Sequence, residues 1–479
     1  MHTKKIIAAF IFFVIAFSIM QFTVPQIIGF DSYYHIKAAS LIKEKGFFKD
    51  FPWATHTILF NNYADIQVLF RILLIPFTFF SLTTGAKIAS IVFAASALTV
   101  FYWFLIKNEI MYPFFYSLVY LFAAESLMYR FLLTREMPIA IALIILTIYF
   151  LENKKYLHLA AASFVFALFY AGFIIQLLVI GIYFILERIF SKKYDCKSIA
   201  YAITGCLTGL LANPYFPKNI SLLYTQISKV NISNLYNVEW SPWPFFEFIT
   251  NNALIIIFIL VKDKKITKSQ SLYLLLALLF LAYSFKSRRM QEYFIPFSVL
   301  AAAFFLNGYI KKFDNAKFFT YFKAIGIIIL AALAVFNFIL LRPDIKNNNF
   351  FHTYDNCASW MEKNIPKGSL VFNNAYAFPY LFFKNSDLGY THGIDLTYSY
   401  LYNPEEFKRY MAILQGAIKD TIKDNDDWIV KDYNPDYLFI GKIKQDVKLH
   451  EYIIRHKQNY KAVYEDEWCA VVKVTANTA

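Results

Sequence analysis

The feature that most limits this chain is a series of long apolar runs through its first 341 residues. They fall near 5–23, 86–106, 112–128, 137–151, 157–170, 171–187, 198–213, 248–261, 271–285, 291–309 and 319–341. A helix needs about 20 mostly apolar residues to cross a bilayer, where each backbone polar group must be satisfied within the segment. One water-soluble core does not take up so many. Of the 479 residues, 58% are hydrophobic and 17% charged, against roughly 25% charged in soluble domains. A single soluble domain for the whole chain and a disordered chain are both excluded. Four cysteines (Cys196, Cys206, Cys357, Cys469) are too few for a disulfide scaffold, and no pair has redox spacing. The expected fold is a polytopic α-helical membrane protein of about 11 transmembrane helices, with a small α/β soluble domain at its C-terminal end.

Charge divides the chain at the same place. Residues 1–341 carry 30 Lys/Arg and 15 Asp/Glu, and residues 342–479 carry 17 and 18. The basic excess belongs to the membrane part. That argues against nucleic acid as a partner and for anionic membrane lipids. With the N-terminus in the cytoplasm, the loops holding Arg188, Lys192, Lys193, Lys197, Lys262, Lys264, Lys265, Lys268, Lys311 and Lys312 fall inside, as the positive-inside tendency requires. The parity works only if 68–84 does not cross. Arg71 and Pro76 interrupt that run, and an interfacial segment is expected there. The outer face then holds a first loop at 24–66, shorter loops at 129–136 and 214–247, the 286–290 corner and the C-terminal domain. The expected location is the plasma membrane.

The tail from 342 to 479 has a different pattern. Tyr354–Asn364 reads as a helix ending before Pro366, Ser369–Phe372 as a strand, and Pro404-Glu405-Glu406 as a helix start. Tyr437–Ile440 reads as a strand, Val447–His456 as a helix and Tyr460–Val474 as a strand pair.

The residues with chemical potential lie on the expected outer side. Gly29-Phe30-Asp31-Ser32-Tyr33-Tyr34-His35-Ile36-Lys37 opens the first loop. A carboxylate beside a bilayer is costly to keep there, so Asp31 is a functional candidate, as metal ligand or proton acceptor. Its other reading is a cap for a helix beginning at Ser32.

This stretch, Asp-x-Tyr-Tyr-His-x-Lys after a first span, resembles the first acidic motif of oligosaccharyltransferase catalytic subunits, and more broadly the GT-C superfamily of membrane glycosyltransferases. In that family the corresponding Asp is catalytic and binds a divalent cation. Met128-Tyr129-Arg130-Phe131-Leu132-Leu133-Thr134-Arg135-Glu136 stands where the family has its second acidic motif, an Asp-Asn-Glu triplet. Only Glu136 matches, with Arg135 at the Asn position. The resemblance implies Asp31 and Glu136 as ligands of Mg²⁺ or Mn²⁺, while the departure at Arg135 puts that pair in question. Glu136 also reads as an acidic residue at a helix start. Ala212-Asn213-Pro214 and Val238-Glu239-Trp240 look like loops of bacterial GT-C-like proteins, which makes Glu239 a further candidate.

Lys286, Arg288 and Arg289 form the densest outer basic cluster. The family uses a late Arg to hold the lipid-linked phosphate, and Arg suits phosphate because it binds bidentately. Headgroup snorkelling is the other reading. His35, Tyr34, His56 and Asp65 complete the candidates in the first loop. The Trp-Trp-Asp-Tyr-Gly acceptor motif of oligosaccharyltransferases is absent; the matching stretch is Asn373-Asn374-Ala375-Tyr376-Ala377-Phe378-Pro379.

The resemblance implies a membrane glycosyltransferase with a lipid-phosphate-linked sugar donor, acting on a protein, glycan or lipid acceptor outside the cytoplasm. Two other readings stand beside it: a transporter or flippase for a lipid-linked or anionic substrate, and an inactive GT-C relative. No internal repeat supports the transporter. No phosphate-binding Gly-rich loop or nucleophile elbow is present.

Overall fold

The computed structural model describes residues 2–228, 241–246, 248–249, 252, 256, 266–313, 317–347, 350–393, 395–416, 427–442 and 446–475. Most of the run expected at 248–261, and the candidate Glu239, lie outside the described residues. The chain is a multi-pass membrane protein with a C-terminal sheet. Among the described residues, five helices are long and apolar enough to cross a membrane: His2–Gln21, Leu82–Lys107, Phe173–Ser191, Arg288–Phe313 and Lys323–Lys346. A bent pair, Glu125–Leu132 and Met137–Glu152, makes a sixth if it counts as one span. Several of the other expected runs are apolar helices of 10–17 residues, shorter than the ~20 residues typical of a span.

Helices α1 (His2–Gln21), α2 (Phe30–Lys45), α3 (Val68–Leu74) and α4 (Leu82–Lys107) build the first part of the bundle. α1 turns Phe13 and Phe17 inward, leaving Ile7, Ile11, Ile15 and Ile19 exposed. In water such a stripe would be a liability; in a bilayer it faces acyl chains. α3 continues as a 3-10 segment, so Val68–Phe79 is one short apolar helix. It spans about 20 Å, at ~1.5 Å per α-helical and ~2.0 Å per 3-10 residue, well below the ~30 Å hydrocarbon core.

The 112–128 run is not one helix. It divides into α5 (Pro113–Phe122) and α6 (Glu125–Leu132), with Ala124 extended between them. α6 then meets α7 (Met137–Glu152) at 104°. Pro138 lacks the N–H that a continuous helix would give to the Thr134 carbonyl, so the chain turns there instead. The corner is tied down by Thr134, whose N–H donates to Ser32 Oγ (2.9 Å) and whose hydroxyl donates to the Ala86 carbonyl (2.9 Å). Gly29 enters α2 at φ 76°, where a Cβ would lie 2.3 Å from a Leu133 methyl. Glycine adopts this positive φ without the strain another residue would carry.

Among the described residues, the remaining bundle comprises α8 (Tyr156–Phe169), α9 (Phe173–Ser191), α10 (Cys196–Ala212), α11 (Lys218–Ser228), α12 (Lys268–Ser284), α13 (Gln291–Phe313) and α14 (Lys317–Asn347). α12 starts on a capping box: Thr267 and Gln270 each use a side-chain oxygen to accept the other's backbone N–H.

The C-terminal sheet runs β2-β1-β3-β5-β4, with β1 (Leu370–Phe372) parallel to β2 (Gly389–Tyr390) and to β3 (Tyr437–Gly441). β5 (Cys469–Val474) is antiparallel to β3 and to β4 (Tyr460–Glu465). The expected helices appear as α15 (Asp355–Asn364), α18 (Pro404–Gln415) and α20 (Val447–Arg455). Three short helices were not expected: α16 (Phe378–Lys384), α17 (Leu396–Tyr402) and α19 (Trp428–Tyr433).

α2 is held between the bundle and α16 of the C-terminal domain. Its Tyr33 packs edge-on against Tyr380 and Phe383, and Tyr34 lies near Phe51, Phe378 and Phe382. The first loop also lengthens the sheet edge, since Thr55 and His56 donate backbone N–H groups to the Tyr390 and Thr391 carbonyls (2.9 and 3.0 Å).

Cys357 of α15 and Cys469 of β5 form a disulfide across 112 residues. Reducing it, or the Cys357→Ala/Cys469→Ala double substitution, is expected to cost about 2–5 kcal/mol. Thermal unfolding with and without reductant reads this directly, and an unchanged midpoint would count against the pairing.

Candidate functional site

A cleft of about 480 Å³ opens where α2, the α6–α7 corner, α11, the start of α13 and the C-terminal domain meet. Its wall includes Asp31, Tyr34, His35, Asp65, Gln67, Arg71, Arg135, Glu136, Arg289 and Glu292. Residues separated by more than 250 positions thus converge on one apolar-walled cavity, the usual form of a small-molecule site.

Asp31 sits in the first turn of α2, where the helix dipole favours a carboxylate. Its Oδ2 pairs with Arg135 Nη2, and its side chain keeps 30% of its exposure, so one face stays open to the cleft. Arg135 itself is almost fully covered, with 7% side-chain exposure. The α6–α7 bend places Arg135 and Glu136 there, because a straight helix would carry them apart around its axis. Glu136 accepts a hydrogen bond from Gln67 Nε2 (3.1 Å) through Oε1. Its Oε2 is buried and has no hydrogen-bond partner among the described residues.

Below these lies a second pair. Asp65 Oδ2 accepts from Arg71 Nε (3.1 Å), and both side chains are under 8% exposed. Asp65 Oδ1 accepts the Gln67 N–H at 2.7 Å. Arg71 also donates to His35 Nδ1 and lies over the Tyr34 ring (4.9 Å). Burial, with the nearby Arg71 charge, holds His35 well below its ordinary value. The ring is neutral and its Nδ1 is an acceptor. A third pair, Arg130 with Glu292, stands beside the α13 start.

No family model matches this chain, and no curated protein sequence does. Solved structures do. The archaeal oligosaccharyltransferase AglB from Archaeoglobus fulgidus, solved with an inhibitory peptide and a dolichol-phosphate, superposes with a TM-score of 0.64 at 9% identity. The match covers 96% of this chain and 73% of that one. ArnT from Cupriavidus metallidurans, solved with undecaprenyl phosphate, superposes with a TM-score of 0.61 at 10% identity, over 98% of both chains. Both are GT-C glycosyltransferases. The chain has the GT-C fold.

Within this GT-C frame the candidates separate. Asp31, Tyr34, His35, Asp65, Glu136 and Arg289 share the cleft wall. Lys286 is exposed and Arg288 stacks on Trp243 (4.8 Å), and neither is on that wall. His56 is elsewhere, packed on Tyr433 and Tyr402 with Glu406 4.0 Å away. Burial pushes its pKa down to about 4. It docks the first loop on the C-terminal domain and does not join Asp31. Arg71, Arg135, Gln67 and Glu292 are cleft residues that the motif comparison did not single out as site residues. Arg71 carried a signal, since a cation inside an apolar run needs a buried partner.

The GT-C resemblance implies a divalent cation on Asp31 and Glu136. Mg²⁺ and Ca²⁺ sites are built from several oxygen ligands. Here Asp31, Asp65 and Glu292 each hold a guanidinium, and Glu136 stands next in sequence to the one on Asp31. Among the described residues, the one trio of closely spaced His, Cys, Asp or Glu ligand atoms is Cys357, Asp466 and Cys469. Its two sulfurs are joined to each other, which removes the thiolates a metal would need. The donor set in the cleft does not fit a divalent cation.

Proposed function

We propose that this chain is a membrane glycosyltransferase that moves a sugar from a lipid-phosphate-linked donor to an acceptor on the extracytoplasmic side. The observation that carries the reading is the convergence of Asp31 and Arg289 on one cleft at the junction of bundle and C-terminal domain. The fold supports it, and two proteins of that fold were solved with polyprenyl phosphates bound.

The reaction is a displacement at the anomeric carbon. An acceptor O–H or N–H attacks that carbon, and the bond from carbon to phosphate oxygen breaks. The lipid phosphate leaves with the electron pair, and the acceptor proton passes to the partly exposed Asp31 carboxylate. Arg289 holds the departing phosphate, where a permanent charge with paired N–H groups is worth most in a site that excludes water. Glu136, whose Oε2 has no partner among the described residues, is the second group able to take a proton or orient the acceptor. Asp65 acts through Arg71 by fixing the wall under Tyr34 and His35. No step is routed through a cation.

Residues 1–341 form the membrane unit of this reading, with its first outer loop at 24–66, and 342–479 the extracytoplasmic unit. The N-terminus is cytoplasmic and the membrane is the plasma membrane. The disulfide supports that side for the C-terminal unit, because such bonds persist in oxidising compartments.

The two neighbouring arginines provide the test. Arg289→Ala is expected to weaken binding of polyprenyl-phosphate sugars by roughly 10- to 100-fold, the ~1.5–3 kcal/mol of a charge-assisted hydrogen bond. Arg288→Ala, which loses a stacking contact, is expected to change donor affinity several-fold less. Equal effects, or none, in folded protein would remove Arg289 from the donor site.

A further inference from the structure

We propose that the Arg135 guanidinium does in this cleft the work of a divalent cation, so that transfer runs without a metal. The proposal rests on the glycosyl-transfer reading above and concerns how that site is charged.

A cation in such a site has two uses. It fixes the carboxylate that faces the acceptor, and it offsets the negative charge of the leaving phosphate. The first is met by Arg135. Its Nη2 grips Asp31 Oδ2, and its side chain is buried to 7% exposure. The backbone around it has little freedom, because the Arg135 N–H donates to the Leu133 carbonyl (2.9 Å) and the Thr134 N–H to Ser32 at the head of Asp31's own helix. Carboxylate and guanidinium are thus mounted on one joint. A guanidinium is charged at every working pH, and its planar fork fixes a carboxylate in orientation as well as in distance. Asp31 remains 30% exposed, so one side of it is left for the acceptor. The second use is met by Arg289 on the same wall. A dication placed on Asp31 would sit against the Arg135 charge, and like charges at contact in a water-poor cleft repel strongly.

Arg135 is therefore a positioning residue, acting through Asp31. Lysine cannot take its place, because an ammonium is a point charge without the fork.

The test uses the full chain in detergent or nanodiscs, stripped of metal by a chelator, with Mn²⁺ as the probe. Two readouts are taken: Mn²⁺ binding by electron paramagnetic resonance, and sugar transfer from polyprenyl-phosphate donors. Wild type is expected to show no Mn²⁺ site that Asp31→Asn abolishes, and to turn over equally with chelator and with Mn²⁺. Arg135→Lys and Arg135→Ala are expected to lose about 100-fold in turnover, the scale of a lost electrostatic contact in an active site. Free guanidinium ion is expected to restore part of the Ala variant's rate and none of the Lys variant's. A stoichiometric Mn²⁺ site lost in Asp31→Asn, or chelator inhibition reversed by Mn²⁺, would overturn the proposal. So would full activity in folded Arg135→Ala. Absence of transfer from every donor would sink the glycosyltransferase reading instead. The Mn²⁺ arm, read on wild type, would still decide whether Arg135 excludes the cation.

Discussion

Asp31→Asn is expected to lower transfer by about 1,000-fold, within the range for removing a positioned proton acceptor. Asparagine has the same shape, and its amide oxygen still accepts from Arg135. What it cannot do is take a proton. The loss should therefore fall on kcat, with donor affinity retained, since an interaction made only in the transition state is removed. The partly open position of Asp31 makes it tolerant of the change, so folding should survive. Wild-type turnover in a folded Asp31→Asn protein would show that another group accepts the proton. Glu136, whose buried Oε2 has no hydrogen-bond partner among the described residues, would then be the residue to change next.

Arg71→Met is expected to destabilise the protein by about 3–5 kcal/mol, the cost of leaving one member of a buried ion pair alone. Asp65 would keep its Gln67 and Tyr63 contacts but lose the compensating charge. Methionine fills a similar volume, so packing loss contributes less. The pair itself contributes little net stability, because desolvation offsets most of its attraction. The Arg71→Met/Asp65→Leu double variant should therefore recover most of the loss. Denaturation in mixed micelles separates the two cases. A single variant as stable as wild type would mean that Asp65 is not held as a buried carboxylate.

Much of this architecture was legible in the residues, for reasons that differ along the chain. Helices such as Leu82–Lys107 announce themselves because the bilayer demands long apolar runs. The break at Ala123–Ala124 was hidden, because Glu125 is a single charged residue in a run that otherwise reads as continuous. In the C-terminal domain the strand at Tyr437–Gly441 and the pair from Tyr460 to Val474 were visible from pattern. Phe378–Lys384 and Trp428–Tyr433 were not, since helices of six or seven residues have no period to detect and take their form from what they pack on. The Cys357–Cys469 bond was illegible in principle, because spacing does not give connectivity.

The site shows the same division. Asp31 stood out by its place beside a span. Arg289 could not be told from Arg288, because what separates them is the 3-10 turn that sends one to Trp243 and the other to the cleft. His56 shares a loop with Asp65, yet pairing along the sheet edge carries it to the C-terminal domain. Arg71 and Glu292 follow a simple rule outside any motif: a charge in an apolar run needs a partner.

The central claim is that a lipid-phosphate-linked sugar is the donor at this cleft. The most direct measurement offers the purified chain a panel of polyprenyl-phosphate and polyprenyl-diphosphate sugars, and follows saturable binding and release of the lipid phosphate. The account predicts tight binding of at least one donor, weakened in Arg289→Ala, and release that stops in Asp31→Asn while binding persists. Folded protein that binds none of the panel, or that binds and releases equally well in both variants, would contradict it.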